Sequence, residues 1–325
     1  MPFRDIIGHD RPVGILQRAM MNDALAHAYL FSGEPGIGKR MTAVALAAAL
    51  NCQAPREGDA CGVCPSCRKV ASGNHPDVHL MAPEVDEIKI DQVRESQATL
   101  SLRPFEGRRK VLIVDRAEAM NDASANAFLK TLEEPPGETL IVLVTAMPQS
   151  LLATIRSRCQ ALTFQPLPRG VLAPLLREKR GLGEEEAWFL AALSRGSIGR
   201  ALEMDVQEER NAREHFRSLV DGITGLPPHE VLSLAEGVAK DREGFDRLIE
   251  IGIEWFRDRI VYGETGEERL LVFHGSGGAG GYSSSGSLAR ALRDLELFTS
   301  SRELLERRVS AQLVAENLFL KLGRS

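Results

Sequence analysis

Two clusters in the sequence carry residue types that can do chemistry. The first is Gly33-Glu34-Pro35-Gly36-Ile37-Gly38-Lys39-Arg40, in which three glycines precede a lysine. Glycines at 33, 36 and 38 let a loop turn tightly with its N–H groups inward, and Lys39 and a following helix start add positive potential for a phosphate chain. Such a loop suits a nucleoside triphosphate, although a chance glycine turn before a helix is the bland alternative. In the working motif the residue after the lysine is Ser or Thr, whose hydroxyl ligates Mg2+. Here it is Arg40, a cation with no lone pair to offer. Thr42 does not substitute, because two helical residues turn it about 200° round the axis. The cradle survives and its metal grip is damaged.

The second cluster is Cys52, Cys61, Cys64 and Cys67, a C-x8-C-x2-C-x2-C array broken by Gly62 and Pro65. Two overlapping C-x-x-C steps curl thiolates toward one point, and Cys52 supplies the fourth corner of the tetrahedron that Zn2+ prefers. Four protein ligands leave no open coordination position, so the expected zinc is structural. An iron–sulfur cluster or free thiols are the alternatives, and disulfides suit a reducing compartment poorly. His75 and His79 follow, but the four cysteines complete a site without them.

Asp115 closes the apolar run Val111-Leu112-Ile113-Val114. A carboxylate at a strand tip can hold Mg2+ through water, and strand C-termini gather the ligands of a parallel sheet, so Asp115 should converge with the glycine loop. An ATPase of this kind places Glu directly after that Asp to orient the attacking water. This chain has Arg116, and Glu118 lies two residues further on, in a direction its sequence position does not define. Thr145 ends another apolar run, where its hydroxyl either senses a terminal phosphate or merely closes a strand.

These residues need elements to hold them. Tyr29-Leu30-Phe31 reads as a strand before the loop and residues 41–50 as an Ala-rich helix after it. Val13, Leu16, Ala19 and Met20 keep helical spacing behind Asp10, a candidate N-cap; that helix lies beside an adenine or simply packs. Strands are predicted at 78–81, 111–114, 139–144 and 161–164, with helices from 90 toward 102, over 121–134 and within 151–159. Alternating strands and helices imply an α/β parallel sheet. A segment with a core stripe of Trp188, Phe189, Ala192 and Leu193 follows, and from Glu208 onward the pattern is helical. The last helix is predicted to place Leu305, Val309, Leu313 and Leu318 on one apolar face, and the Gly/Ser-rich stretch 274–287 reads as a flexible loop.

With 325 residues, more than one domain is expected, since single cores usually stop growing at about 250–300 residues. A net charge of −5 with 26% charged residues carries no global commitment to nucleic acid, so any DNA contact must be local. The N-terminus does not begin a secretory signal and no apolar run approaches a membrane span, so the expected location is the cytoplasm, with no membrane partner.

The glycine loop, the cysteine array, Leu129-Lys130-Thr131-Leu132-Glu133-Glu134-Pro135-Pro136 and Ser157-Arg158-Cys159 together resemble the clamp-loader subunits of bacterial DNA polymerase III, of the AAA+ class, and most closely their delta-prime family. The resemblance covers residues 1–205. It implies an AAA+ P-loop domain with an inserted zinc module over 1–165 (module 52–67), a small helical lid over 166–205 and an all-α collar for oligomerisation over 206–325. It also implies that Gly33, Gly36, Gly38, Lys39, Asp115 and Thr145 form a nucleotide site, weak or vestigial for ATP or ADP, and that Arg158 acts in trans as an arginine finger in a neighbour's site. A guanidinium suits that role through its permanent charge and forked donors. The implied partners are the tau/gamma and delta subunits, with the sliding clamp and primed DNA reached through the assembly and single-stranded DNA-binding protein nearby.

The motor subunits of that family keep Thr after the lysine and Glu after the strand-end Asp. They also carry a Gly-Ser-x-Arg arginine near the phosphates, where this chain has Gly196-Ser197-Ile198-Gly199. The expected role is a non-hydrolysing subunit of the polymerase holoenzyme. Its competitors are an ATPase motor, favoured by the intact cradle, and a zinc-containing DNA-binding module, disfavoured because loops 55–60 and 62–66 carry few cations.

Overall fold

The computed structural model describes residues 1–272 and 288–323, so the Gly/Ser-rich stretch 274–287 lies outside the described residues. The chain divides into two compact units, Met1–Val171 with Gly196–Arg200, and Leu172–Arg195 with Ala201–Ser325.

The first unit is built on five parallel strands: β1 (Ala28–Ser32), β2 (Val78–Met81), β3 (Lys110–Val114), β4 (Thr139–Thr145) and β5 (Gln160–Thr163). Their order is β2-β3-β4-β1-β5. The three central strands β1, β3 and β4 are buried along their whole length, which accounts for their unbroken apolar runs in sequence. Alternate residues feed opposite faces. Tyr29, Phe31, Val111, Ile113, Leu140 and Val142 meet helices α1 (Asp10–Met21), α2 (Lys39–Leu50) and α3 (Pro65–Ala71). The alanines of α2 let that helix lie close against the sheet. Leu30, Leu112, Val114, Ile141 and Leu143 form the other core with α4 (Ile90–Ser101), α5 (Asp122–Glu133) and α6 (Ala153–Arg156).

Asp10 is the first residue of α1 rather than its cap; His9 precedes it and makes no capping bond. Asn121 does cap α5, its side chain accepting the N–H of Ser124 at 3.0 Å.

The remaining helices are α7 (Arg169–Arg180), α8 (Glu184–Leu193), α9 (Ile198–Glu203), α10 (Val206–Ile223), α11 (Pro228–Ala239), α12 (Arg242–Thr265), α13 (Leu288–Glu306) and α14 (Ala311–Gly323). In the second unit Phe216, Phe256 and Phe298 meet ring against ring at 5.5–5.7 Å. A Cβ on Gly252 would come within 2.3 Å of the Phe298 ring, so α12 and α13 close on each other only with glycine there. Glu254 accepts from Arg195 at 3.0 Å and from Arg213 at 2.9 Å, which pairs a buried charge that would otherwise be costly.

Two sequence expectations are corrected in this unit. Trp188 is 43% exposed, while Phe189, Ala192 and Leu193 are buried. The stripe 305–318 is not one helix: α13 stops at Glu306, Arg308 takes a φ of 60°, and α14 restarts at Ala311. The break changes the helical phase, leaving Leu313 62% exposed while Leu305 and Leu318 stay buried.

Candidate nucleotide cradle, metal centre and finger

The glycine loop leaves the tip of β1 and enters α2. Gly33, Gly36 and Gly38 have φ values of 146°, 72° and 108°, which side chains other than glycine rarely tolerate. The Lys39 ammonium is buried beneath the loop, donating to the carbonyls of Gly33 at 2.5 Å and Glu34 at 2.6 Å. Burial pulls the Lys39 pKa below the usual lysine range, against the opposing pull of Glu118, Asp115 and Glu34.

Asp115 follows β3 directly, and its N–H donates to the carbonyl of Met81 at 2.8 Å. Its carboxylate meets a side chain from the first turn of α2. Arg40 Nη1 lies 3.4 Å from Asp115 Oδ2, and the Arg116 N–H donates to Oδ1 at 3.2 Å. The Thr42 hydroxyl is buried and donates back to the Gly38 carbonyl at 3.0 Å, as its turn round α2 required. The residues present therefore do not fit Mg2+, which needs oxygen ligands in near-ideal octahedral geometry. Thr145 is buried at the end of β4, its Oγ1 accepting the Met147 N–H at 3.0 Å.

Three further residues pack around the loop and the strand tips: sequence reasoning assigns His9 no role, leaves the direction of Glu118 open and sees in Gly199 only a missing arginine. His9 is buried, with Nε2 2.5 Å from the Ile37 carbonyl and its ring edge-on to Phe164 at 5.0 Å. Glu118 turns toward the end of β4, where Oε1 accepts the Ala146 N–H at 3.3 Å, and among the described residues its buried Oε2 has no partner. Gly199 donates its N–H to the Gly36 carbonyl at 2.9 Å. A Cβ there would stand 3.2 Å from both the Cα and the carbonyl oxygen of Gly36.

The four cysteines come together between α2 and α3, every sulfur within 4.8 Å of the other three. Cys61 and Cys67 stand 3.9 Å apart, close to the S–S edge of about 3.8 Å that a tetrahedron with 2.3 Å zinc–sulfur bonds requires. Backbone N–H groups of Cys61, Cys64 and Cys67 point at the sulfurs of Cys52, Cys61 and Cys64 at 3.3–3.4 Å, an arrangement that favours thiolates. Cys64 also caps α3, with Pro65 at the first helical position. The donor set fits structural Zn2+. His75 is excluded from it: its Nδ1 accepts the Asp77 N–H and its Nε2 lies 3.1 Å from Ser66 Oγ.

Arg158 has none of the cradle residues among its hydrogen-bond partners. Its guanidinium donates to the Thr154 carbonyl at 3.0 Å and to Glu133 Oε1 at 2.7 Å, and it remains partly exposed just beyond α6.

Residues 8–168, which contain the loop, the cysteines, Asp115 and Arg158, match the family model described as DNA polymerase III, delta subunit. Over 248 residues the chain is 41% identical to the DNA polymerase III subunit delta' of Pseudomonas aeruginosa, an alignment covering 76% of this chain and 75% of that one. The chain belongs to the DNA polymerase III delta-prime family. It is also 38% identical to the Bacillus subtilis delta' subunit over 202 residues, 61% of this chain and 60% of that one. Likeness extends to the tau subunit of Escherichia coli, 34% identical over 265 residues, which are 78% of this chain and 41% of tau. Among the described residues of this delta-prime family member, no helix is long and apolar enough to cross a membrane.

Proposed function

We propose that this chain is the delta-prime subunit of a DNA polymerase III clamp loader, helping to load the sliding clamp onto primed DNA without hydrolysing ATP itself. In this reading residues 1–165 are the AAA+ domain, 166–205 its lid and 206–325 a collar that joins the tau/gamma and delta subunits in the cytoplasm. The cradle keeps weak affinity for a nucleoside polyphosphate through Lys39 and the loop amides.

The observation that carries the reading is the Arg40–Asp115 pair, which places a protein cation where a motor subunit needs metal. Arg116 and Gly199 remove the water-orienting carboxylate and the phosphate-facing cation as well. Catalysis of phosphoryl transfer rests on positioning and charge, so losing all three should abolish turnover. Arg158 retains its guanidinium and partial exposure, consistent with service to a neighbour.

The test is ATP hydrolysis and clamp loading by reconstituted loaders carrying Arg158→Ala or Lys39→Ala in this chain. Fingers acting in trans are worth about 10³–10⁵ in rate, so Arg158→Ala should silence the one site it serves and lower total turnover partially. Lys39→Ala should leave turnover near wild type. The reverse pattern would make this chain a tau/gamma-like motor.

A further inference from the structure

We propose that Arg40 stands in for the divalent cation of the cradle, so that the loop holds a nucleoside polyphosphate without Mg2+ and prefers the metal-free form. This rests on the reading above that the cradle still accepts a polyphosphate.

Two protein groups would hold Mg2+ in a loop of this kind: the hydroxyl after the lysine and the carboxylate at the tip of β3. The first is replaced by Arg40. The second, Asp115, has Oδ2 facing the Arg40 guanidinium at 3.4 Å and Oδ1 engaged by the Arg116 N–H. Thr42 cannot lend its hydroxyl, which is buried on the Gly38 carbonyl. A cation arriving at Asp115 would meet a permanent positive charge and no free oxygen ligand from α2.

The same guanidinium can do part of what the metal does. It has five N–H donors, and the pair with Asp115 uses one of them, at Nη1. Its 57% exposure leaves room for phosphate oxygens to meet the remaining donors, in the forked geometry that suits arginine to phosphate. It also bridges the acidic tip of β3 to an anion, which is the electrostatic task of Mg2+ between Asp and phosphate. A nucleotide already carrying Mg2+ would bring that ion against Arg40, whereas the free polyphosphate would bring only acceptors.

The experiment is equilibrium binding of a fluorescent ATP analogue to the full-length chain, in excess EDTA and in excess Mg2+, with Arg40→Thr and Lys39→Ala alongside. Arg40 is exposed on the first turn of α2, so the threonine variant should fold, and circular dichroism checks that it does. The expected result is wild-type binding that is tighter in EDTA, reversed in Arg40→Thr to binding tighter in Mg2+ by about tenfold or more, with Lys39→Ala weakening both. Wild-type binding tighter in Mg2+ would overturn the proposal. Arg40→Thr keeping the wild-type order would overturn the assignment to Arg40. Binding gained only by Arg40→Thr with Mg2+ would show that Arg40 blocks the cradle instead of replacing the ion. No binding by any variant would overturn the cradle reading itself, and this proposal with it.

Discussion

Arg158 and Cys64 show how far one residue's neighbours decide what it does. Arg158 is held to Glu133 within the chain, yet both side chains are partly exposed, so the pair is worth only about 0–1 kcal/mol. A neighbour's phosphate can therefore draw the guanidinium away at little cost. Glu133→Gln should leave the denaturation midpoint almost unchanged. Arg158→Lys should rescue loader ATPase poorly, because a point charge lacks the planar fork; full rescue in reconstituted loaders would contradict the finger role. Cys64 is also the cap of α3, and serine caps a helix as well as cysteine does, so Cys64→Ser should release zinc and loosen residues 52–67 through loss of the metal alone. Elemental analysis should find one zinc per wild-type chain and faster amide exchange across that module in the variant. Iron, or no metal, in the wild type would refute the assignment.

Among the elements, the segment between α4 and β3 is tied down by two buried polar side chains. Asp77, just before β2, accepts the N–H groups of Phe105, Glu106 and Gly107 at 2.6–2.9 Å. Asn51, just after α2, accepts those of Arg108 and Arg109. Burial alone would raise the Asp77 carboxyl, but the three amides more than offset it and hold it below the usual carboxylate range. A depressed folded pKa contributes stability above the unfolded value of about 3.9, and that stability is lost as pH falls through the folded value. Asp77→Asn should thus cost about 1.5–3 kcal/mol near neutral pH, and its deficit against wild type should shrink in acid. Denaturant melts at several pH values measure this; a deficit constant with pH would show that the charge is irrelevant.

The elements of the sheet were legible because parallel strands buried on both faces write themselves as continuous apolar runs, and the helix starting at Asn121 was legible because its cap is local. The cap at Cys64 was hidden because the cysteine spacing points only to a metal ligand. What escaped was long-range. His9 reaches Ile37, and Arg40 reaches Asp115 across 75 positions. Neither has a spacing signature. The helix break at residues 307–310 escaped for the opposite reason: it hangs on one positive φ at Arg308, while the apolar residues on either side mimic a single period.

For the molecule as a whole, the two units draw their stability from different cores. Sheet and zinc share the first, so removing the metal should disturb the residues next to α2 and leave the phenylalanine cluster of the second unit intact. That cluster can be challenged separately. Gly252→Ala would drive a methyl into Phe298, and overpacking of this kind costs about 1–3 kcal/mol. Calorimetry should show the loss without loss of zinc. An unchanged melting profile would mean that α12 and α13 separate more easily than their contact suggests.

The docking of Gly199 on Gly36 bears on whether the losses at the cradle are reversible. Arg40 is an exposed side chain on the first turn of α2, and Arg116 already holds a positive φ of 53°. Position 199 differs, because any residue larger than glycine presses on the backbone of residue 36. Point changes at 40 and 116 alone therefore cannot rebuild a motor, and an arginine at 199 would be tolerated only after the loop had moved. The contact thus works as a latch: a side chain added at residue 199 has to be answered by a shift of the loop backbone at residue 36.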